Sequence, residues 1–266
     1  MSVECAAILR IVKVIGSGQI FGVHFKITMN NYPHPYAVGM ISDSPESERA
    51  AFIRKTYWHL AGAIALFAVL EGMFIRMGLG TAALQLLGAS KYSWLMVMAA
   101  FVAISWVADR WATNGSSKGR QYAGLLLYTV AEAVIFLPMI VLAMVMTGDI
   151  GLVLQAGLIT VAMVIGISTV ALTTKKDFSF LGGMLKIGGF VALGLIVASF
   201  ILPISLGLWF SAAMVIFASG SILYNTSNLI HRYQPGQHVA ASLSLFASVA
   251  LLFWYLLRLL MSLNRN

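Results

Sequence analysis

Charge is what this sequence has least of. Asp, Glu, Lys and Arg together make up 10% of its 266 residues, while hydrophobic residues make up 60%. A soluble domain carries about 25% charged residues. The charge present here cannot cover a water-facing surface, and with a mean hydropathy of +0.89 the chain reads as an integral membrane protein. Acidic groups are the scarcest, 9 Asp+Glu against 17 Lys+Arg, for a formal net charge of +8. That excess of bases does not point to nucleic acid. The basic residues sit in short connections beside apolar runs, where they set topology and contact the anionic lipid of a bilayer. A single cysteine, Cys5, excludes an internal disulfide. CxxC, HExxH and glycine-rich phosphate-loop patterns are all missing, so no cofactor is expected.

What the sequence has in abundance is apolar runs of about 17–25 residues, the length that crosses the hydrocarbon as a helix. Seven are expected, over 57–75, 92–108, 122–146, 151–172, 180–202, 206–224 and 240–261. Tight connections, marked by Asp149 and Gly151 or by Pro203 and Ser205, force neighbouring helices antiparallel. With seven spans, one side collects Arg49, Arg54, Lys55, Arg110, Lys118, Arg120, Lys175, Lys176 and Arg232, and the other collects Arg76, Lys91, Arg258 and Arg265. Nine against four places the N-terminus in the cytoplasm and the C-terminus outside. Residues 1–56 are read as a cytoplasmic tail, 57–261 as the transmembrane domain and 262–266 as a short tail. Within the first 28 residues Arg10, Lys13, His24 and Lys26 interrupt the apolar pattern, and no small-residue cleavage site follows. Translation is expected to start at Met29, the alternative being an interfacial N-terminal segment. Ser44-Pro45-Glu46 reads as an N-cap, a first-turn proline and an early acid, so a helix is expected to begin near Pro45 and run into the first span. Small residues at helix-packing spacing, Ala61/Ala65, Ala162/Gly166 and Gly194/Ala198, mark candidate close approaches.

Ionisable residues inside spans are costly and so point to function. Four occur: Glu71, Glu132, Lys186 and Arg258. At about 1.5 Å per residue, Glu132 lies roughly 15 Å and Lys186 roughly 9 Å from the cytoplasmic side. Glu71 and Arg258 fall towards the outer interface. Two pairings are therefore expected, Glu132 with Lys186 and Glu71 with Arg258, with snorkelling to the interface as the alternative for the two bases. Pro138, shortly after Glu132, removes a backbone hydrogen bond and can kink its helix. The polar stretch SILYNTSNLIHRY, 221–233, closes the sixth span without a carboxylate. Asn225 there and Ser248, eight residues into the seventh span, fall at compatible depths, although a serine in such a helix ordinarily bonds its own carbonyl one turn earlier.

Four stretches resemble the bacterial members of the Bax inhibitor-1 family of multi-pass membrane proteins: FIRKTYWHLAGAIAL, YTVAEAVIFLPMI, TTKKDFSFLGGML, and ILYNTSNLIHRY followed by SLSLFASVALLFWYLLRLL. The likeness covers roughly residues 50–261. It implies a seven-helix bundle with the last helix central, and a role in ion leak across the membrane, chiefly of calcium. It also implies an association, in other bacterial members, with a membrane-bound ATP-dependent protease. In the leaking members two aspartates share a proton and an arginine as a pH-sensitive latch. Carried over by position, the first aspartate falls on Asn225 and the second on Ser248, with Arg110 the nearest candidate for the arginine. Asn and Ser do not titrate and give a hard cation no anionic ligand.

Two functions are therefore expected to compete. One is a cation leak with a displaced polar path that uses Glu132. The other is a non-conducting modulator of a membrane-bound protease or of translocation machinery, in the inner membrane. An enzyme is not expected, since His59 stands at a helix start and His231 and His238 in a connection, with no Ser/His pair at matching depth.

Overall fold

The computed structural model describes residues 39–90, 93–113, 117–174, 176–201 and 206–264. The expected start at Met29 and the reading of residues 1–28 lie outside these, as do Lys91, Lys175, Pro203 and Arg265. After a 3-10 turn at Ile41–Asp43, eight α-helices follow among the described residues: α1 Glu46–Arg76, α2 Leu79–Gly88, α3 Ser93–Ala112, α4 Lys118–Thr147, α5 Gly151–Thr173, α6 Leu181–Ile201, α7 Leu208–His231 and α8 His238–Leu263. Six of them, α1 and α4 to α8, are long and apolar enough to cross a membrane.

The expected seven-helix bundle is thus met in part: the structure is all-helical, with eight helices among the described residues and six of them long and apolar enough to span. An additional helix, α2, fills the stretch between the first two expected spans, and α3 is not among the six. The reason for α2 is local. Gly78 takes φ 71°, a left-handed conformation that a side chain resists, and ends α1. The ten mostly apolar residues after it form a helix too short to span. The start of α1 also differs by one residue. Pro45 is the N-cap, its carbonyl accepting from Glu48 N at 3.0 Å and Arg49 N at 3.1 Å, while Ser44 precedes the helix.

Helix ends that meet define the two ends of the bundle. At one end Ile41 N donates to Tyr233 O at 2.9 Å, His59 of α1 lies 3.0 Å from the Tyr122 hydroxyl of α4, and Phe178 N donates to Ser227 Oγ of α7 at 3.1 Å. At the other, Arg258 Nη2 of α8 donates to Leu206 O, before α7, at 2.8 Å. Neighbouring long helices run antiparallel, as the tight connections require.

Burial is distributed unevenly. Of its most apolar 18 residues, α8 buries 94%, α4 67% and α1 only 17%, so α8 meets protein on nearly every side. It packs on α1, α3, α4, α5 and α7, with Trp254 and Tyr255 fully enclosed. The outer helices present large apolar side chains instead, among them Trp58, Leu158, Trp209 and Ile216, a surface suited to lipid. The small-residue pairs do not mark the close contacts: Ala61, Ala65, Ala162, Gly166 and Gly194 are all exposed. Main chain approaches main chain at Gly124 of α4, where an added Cβ would stand 2.5 Å from Ala108 O and 2.7 Å from Ala112 N of α3. Spacing alone names small residues without saying which face of the helix they occupy.

The connection into α6 is organised by Asp177, whose Oδ1 accepts from Ser179 N at 2.8 Å and from the Ser179 hydroxyl at 2.6 Å. These two hydrogen bonds, with help from His231 and Arg232, hold its carboxyl below the ordinary value of 3.8. A depressed folded pKa contributes stability above the unfolded pKa and loses it as pH falls through the folded one. Asp177→Asn is therefore expected to lower the unfolding temperature slightly at neutral pH and to flatten part of its acid limb below about pH 4. An acid limb identical to that of the parent would refute this.

Candidate functional site

The polar residues that end α7 are buried, not solvated. Ser221, Tyr224, Asn225, Thr226, Ser227 and Asn228 all lie inside the bundle. The physical reason is the neighbour: α7 packs along α8, which buries almost its whole length, so the polar turn of α7 meets another helix before it meets water. Buried polar groups need partners, because an unmade hydrogen bond in low dielectric costs more than a made one contributes.

Asn225 and Ser248 supply those partners to one another. Asn225 Nδ2 donates to Ser248 Oγ at 2.7 Å and to Ser244 O at 3.3 Å. The Ser248 hydroxyl donates in turn to Ser244 O at 3.2 Å, the one-turn back-bond that its sequence context anticipates. Both hydrogens of the Asn225 amide are thereby used on α8. Tyr233, in the connection between α7 and α8, donates its hydroxyl to Ser244 Oγ at 3.1 Å. Burial pushes the Tyr233 pKa up to about 12, so the hydroxyl stays a donor throughout the physiological range. Every member of this seam is neutral, and its donors are directed to protein oxygens.

Further hydrogen bonds fasten the same end. Ser242 of α8 donates to Thr56 O of α1 at 2.8 Å and shares that hydrogen with His238 O at 2.7 Å. The hydroxyls of Tyr57 and Thr226 are 3.4 Å apart, and Ser227 holds the loop before α6. Sequence reasoning missed Tyr233, Ser244, Ser242 and Tyr57. The signal that could have found them is the run of polar residues recurring at helical spacing at the start of the last span, opposite the polar end of the one before it.

The remaining expected residues are not joined to this seam. Arg110 is exposed at the end of α3, its guanidinium over the Trp106 ring at 4.9 Å, and it does not reach the Asn225–Ser248 pair. Glu132 is fully buried in α4, while Lys186 on α6 is half-buried and makes no ion pair among the described residues. The other anticipated pairing is not made either. Arg258 turns to the Leu206 carbonyl, and Glu71 is buried in α1 with neither carboxyl oxygen hydrogen-bonded among the described residues. Depth along a helix, on which both pairings were based, ignores azimuth, and two groups at one depth pair only if their helices present them to each other. Among the described residues no three His, Cys, Asp or Glu side chains gather as a metal-ligand group.

Comparison with known proteins agrees with the bundle's sequence pattern. A family model described as Inhibitor of apoptosis-promoting Bax1 matches residues 49–266. An uncharacterized protein of Pseudomonas aeruginosa is 42% identical over 101 residues, 38% of this chain and 45% of that protein. The Escherichia coli protein YccA, named a modulator of FtsH protease, is 43% identical over 94 residues, 35% of this chain and 42% of that protein. Bax inhibitor 1 of Schizosaccharomyces pombe is 24% identical over 228 residues, 85% of this chain and 82% of that protein. The matched stretch spans about half the length or less of the two bacterial relatives.

Proposed function

The chain belongs to the Bax inhibitor-1 family, and on that premise we propose that it is a non-enzymatic modulator of a membrane-bound ATP-dependent protease, in which a fixed seam replaces the calcium-leak latch. The observation that carries this reading is the Asn225–Ser248 hydrogen bond of 2.7 Å, which occupies with two neutral groups the place where the family resemblance expects a proton-sharing pair of aspartates. Two close carboxyls form a switch because they cannot both ionise cheaply. An amide and a hydroxyl form a joint that no physiological pH opens. They also leave no anionic oxygen for calcium, which takes six to eight oxygen ligands with carboxylates prominent. Similarity to YccA supports the protease as the partner class, by name and over the matched stretch.

In this reading α3, at 20 residues and so about 30 Å long, is the seventh span, and α8 is the centre of the bundle. The end carrying Tyr233 faces the cytoplasm of a bacterium, since the Lys and Arg majority lies in the connections on that side. The seam then closes the cytoplasmic end, where a protease domain is met.

The test is calcium influx into liposomes holding the purified protein, between about pH 5 and about 8, the range in which histidine and shared-proton switches act. The expected result is no influx above protein-free liposomes at any pH, together with co-purification of an ATP-dependent membrane protease from native membranes. Influx that is present and disappears in Glu132→Gln would overturn the proposal and establish a leak along a displaced path.

A further inference from the structure

Glu71 faces a crevice on the opposite half of the bundle from the seam. The helices α1 and α5 each pack on α8 and leave a lateral cleft between them. Phe67 and Glu71 of α1, Leu154 and Gly157 of α5, and Phe246 and Phe253 of α8 line a cavity of about 430 Å³. That volume is within the range of small-ligand pockets, about 300–1,000 Å³. Among the described residues two polar side chains line it, Glu71 and Thr160, and the Thr160 hydroxyl donates to Ala156 O of its own helix at 2.7 Å. Glu71 is 5% exposed and its two carboxyl oxygens have no hydrogen-bond partner among the described residues. A carboxyl buried in this way is costly unless a donor, best a cationic one, is brought to it.

The surroundings define what such an occupant would be. The walls are apolar and open laterally to where lipid lies, so the body of the occupant is a hydrocarbon chain. Glu71 stands five residues before the end of α1 at Arg76, roughly 7–8 Å along the axis, below the membrane surface but close to it. A lipid headgroup reaches that depth. We propose that the crevice between α1 and α5 binds a phospholipid with a primary-amine headgroup, its ammonium donating to the Glu71 carboxylate and one acyl chain lying on the α8 floor.

The experiment places the purified full chain in nanodiscs of equal parts phosphatidylethanolamine, phosphatidylcholine and phosphatidylglycerol with identical chains, then counts retained lipids by native mass spectrometry. Phosphatidylcholine is the decisive comparison, because its headgroup is equally cationic but has no N–H to donate. The primary-amine lipid is expected to be retained about tenfold over phosphatidylcholine, the scale of a charge-assisted hydrogen bond. Glu71→Gln keeps shape and removes charge, and is expected to abolish the headgroup preference while lipid still binds. Gly157→Phe is the second variant. A Cβ at Gly157 meets nothing within 4 Å, so the ring can fill the crevice, and the retained lipid is expected to be lost with Glu71 intact. Retention in the bulk ratio by the parent would overturn the proposal, as would an undiminished preference in Glu71→Gln. A lipid-free dimer closed across the crevice would overturn it in favour of a second copy as occupant.

Discussion

Replacing both seam residues by carboxyls, Asn225→Asp with Ser248→Asp, is expected to turn a pH-indifferent joint into a pH-sensitive one. The two side chains already meet at 2.7 Å, so two aspartates there would share one proton. The folded state would then hold that proton to a higher pH than the unfolded chain, in which each aspartate titrates near 3.9. A group whose folded pKa is raised contributes stability that is fully present below the unfolded pKa and is lost as pH rises through the folded one. A proton held to a pH about two higher in the folded state than in the unfolded chain corresponds to about 3 kcal/mol. For a chain of this size that is a fall in Tm of about 6–12 °C as pH rises from about 3 to about 8, measured relative to the parent, with less than half of it falling above about pH 5. Asn225→Asp alone is expected to show less, because the Ser248 hydroxyl can donate to a single carboxylate and keep it ionised. Parallel pH profiles for parent and double variant would mean that the two positions do not share a proton, and that the seam is looser than 2.7 Å implies.

The second large effect is steric. Gly124 lets α4 lie against the backbone of α3, and both atoms that a Cβ would strike, Ala108 O and Ala112 N, belong to the main chain. A flexible side chain could turn aside, but main-chain atoms of a helix move only if the helix moves. Gly124→Ala is expected to cost about 2–3 kcal/mol, at the upper end of ordinary overpacking, and Gly124→Val more. Gly157→Ala on α5 is the control. It makes the same chemical change where nothing stands within 4 Å, and the gain in helix propensity is expected to leave it neutral or slightly stabilising. Equal unfolding temperatures for the two alanine variants would show that α3 and α4 do not approach as closely as the structure has them.

How much of this could be read from the residues alone depends on what each reading used. Composition gave the membrane class because hydrocarbon leaves no choice: the chain must bury its backbone hydrogen bonds in helices, and 60% apolar content supplies them. Run length located six long helices for the same reason. It missed α2 because ten mostly apolar residues look like part of a connection until Gly78 turns the chain back along the bundle. Position in a resembled family brought Asn225 and Ser248 together on paper, and they are together in the structure, since both sit on helices that pack along their length. The charged residues fared differently. Glu71 with Arg258 and Glu132 with Lys186 were matched by depth, and depth says nothing of the direction in which each side chain leaves its helix. Arg258 instead reaches a carbonyl at the start of α7, and Glu71 turns into the crevice beside α5. Arg110 was the loosest assignment because the second span offered no register, and its guanidinium stacks on Trp106 of the same helix.

The central claim is that the seam joining α7 to α8 at this end of the bundle is made of neutral hydrogen bonds and has no proton to lose. The direct measurement is the distance between spin labels at Arg54→Cys on α1 and Ile230→Cys on α7, in a background with Cys5 replaced by serine, followed by double electron–electron resonance from about pH 5 to about 8. A permanent seam predicts one distance distribution, unchanged across that range in the parent. It also predicts a second population, rising with pH, in the variant carrying Asn225→Asp and Ser248→Asp. A second population that grows with pH in the parent itself would contradict the claim and show a titrating latch at this end.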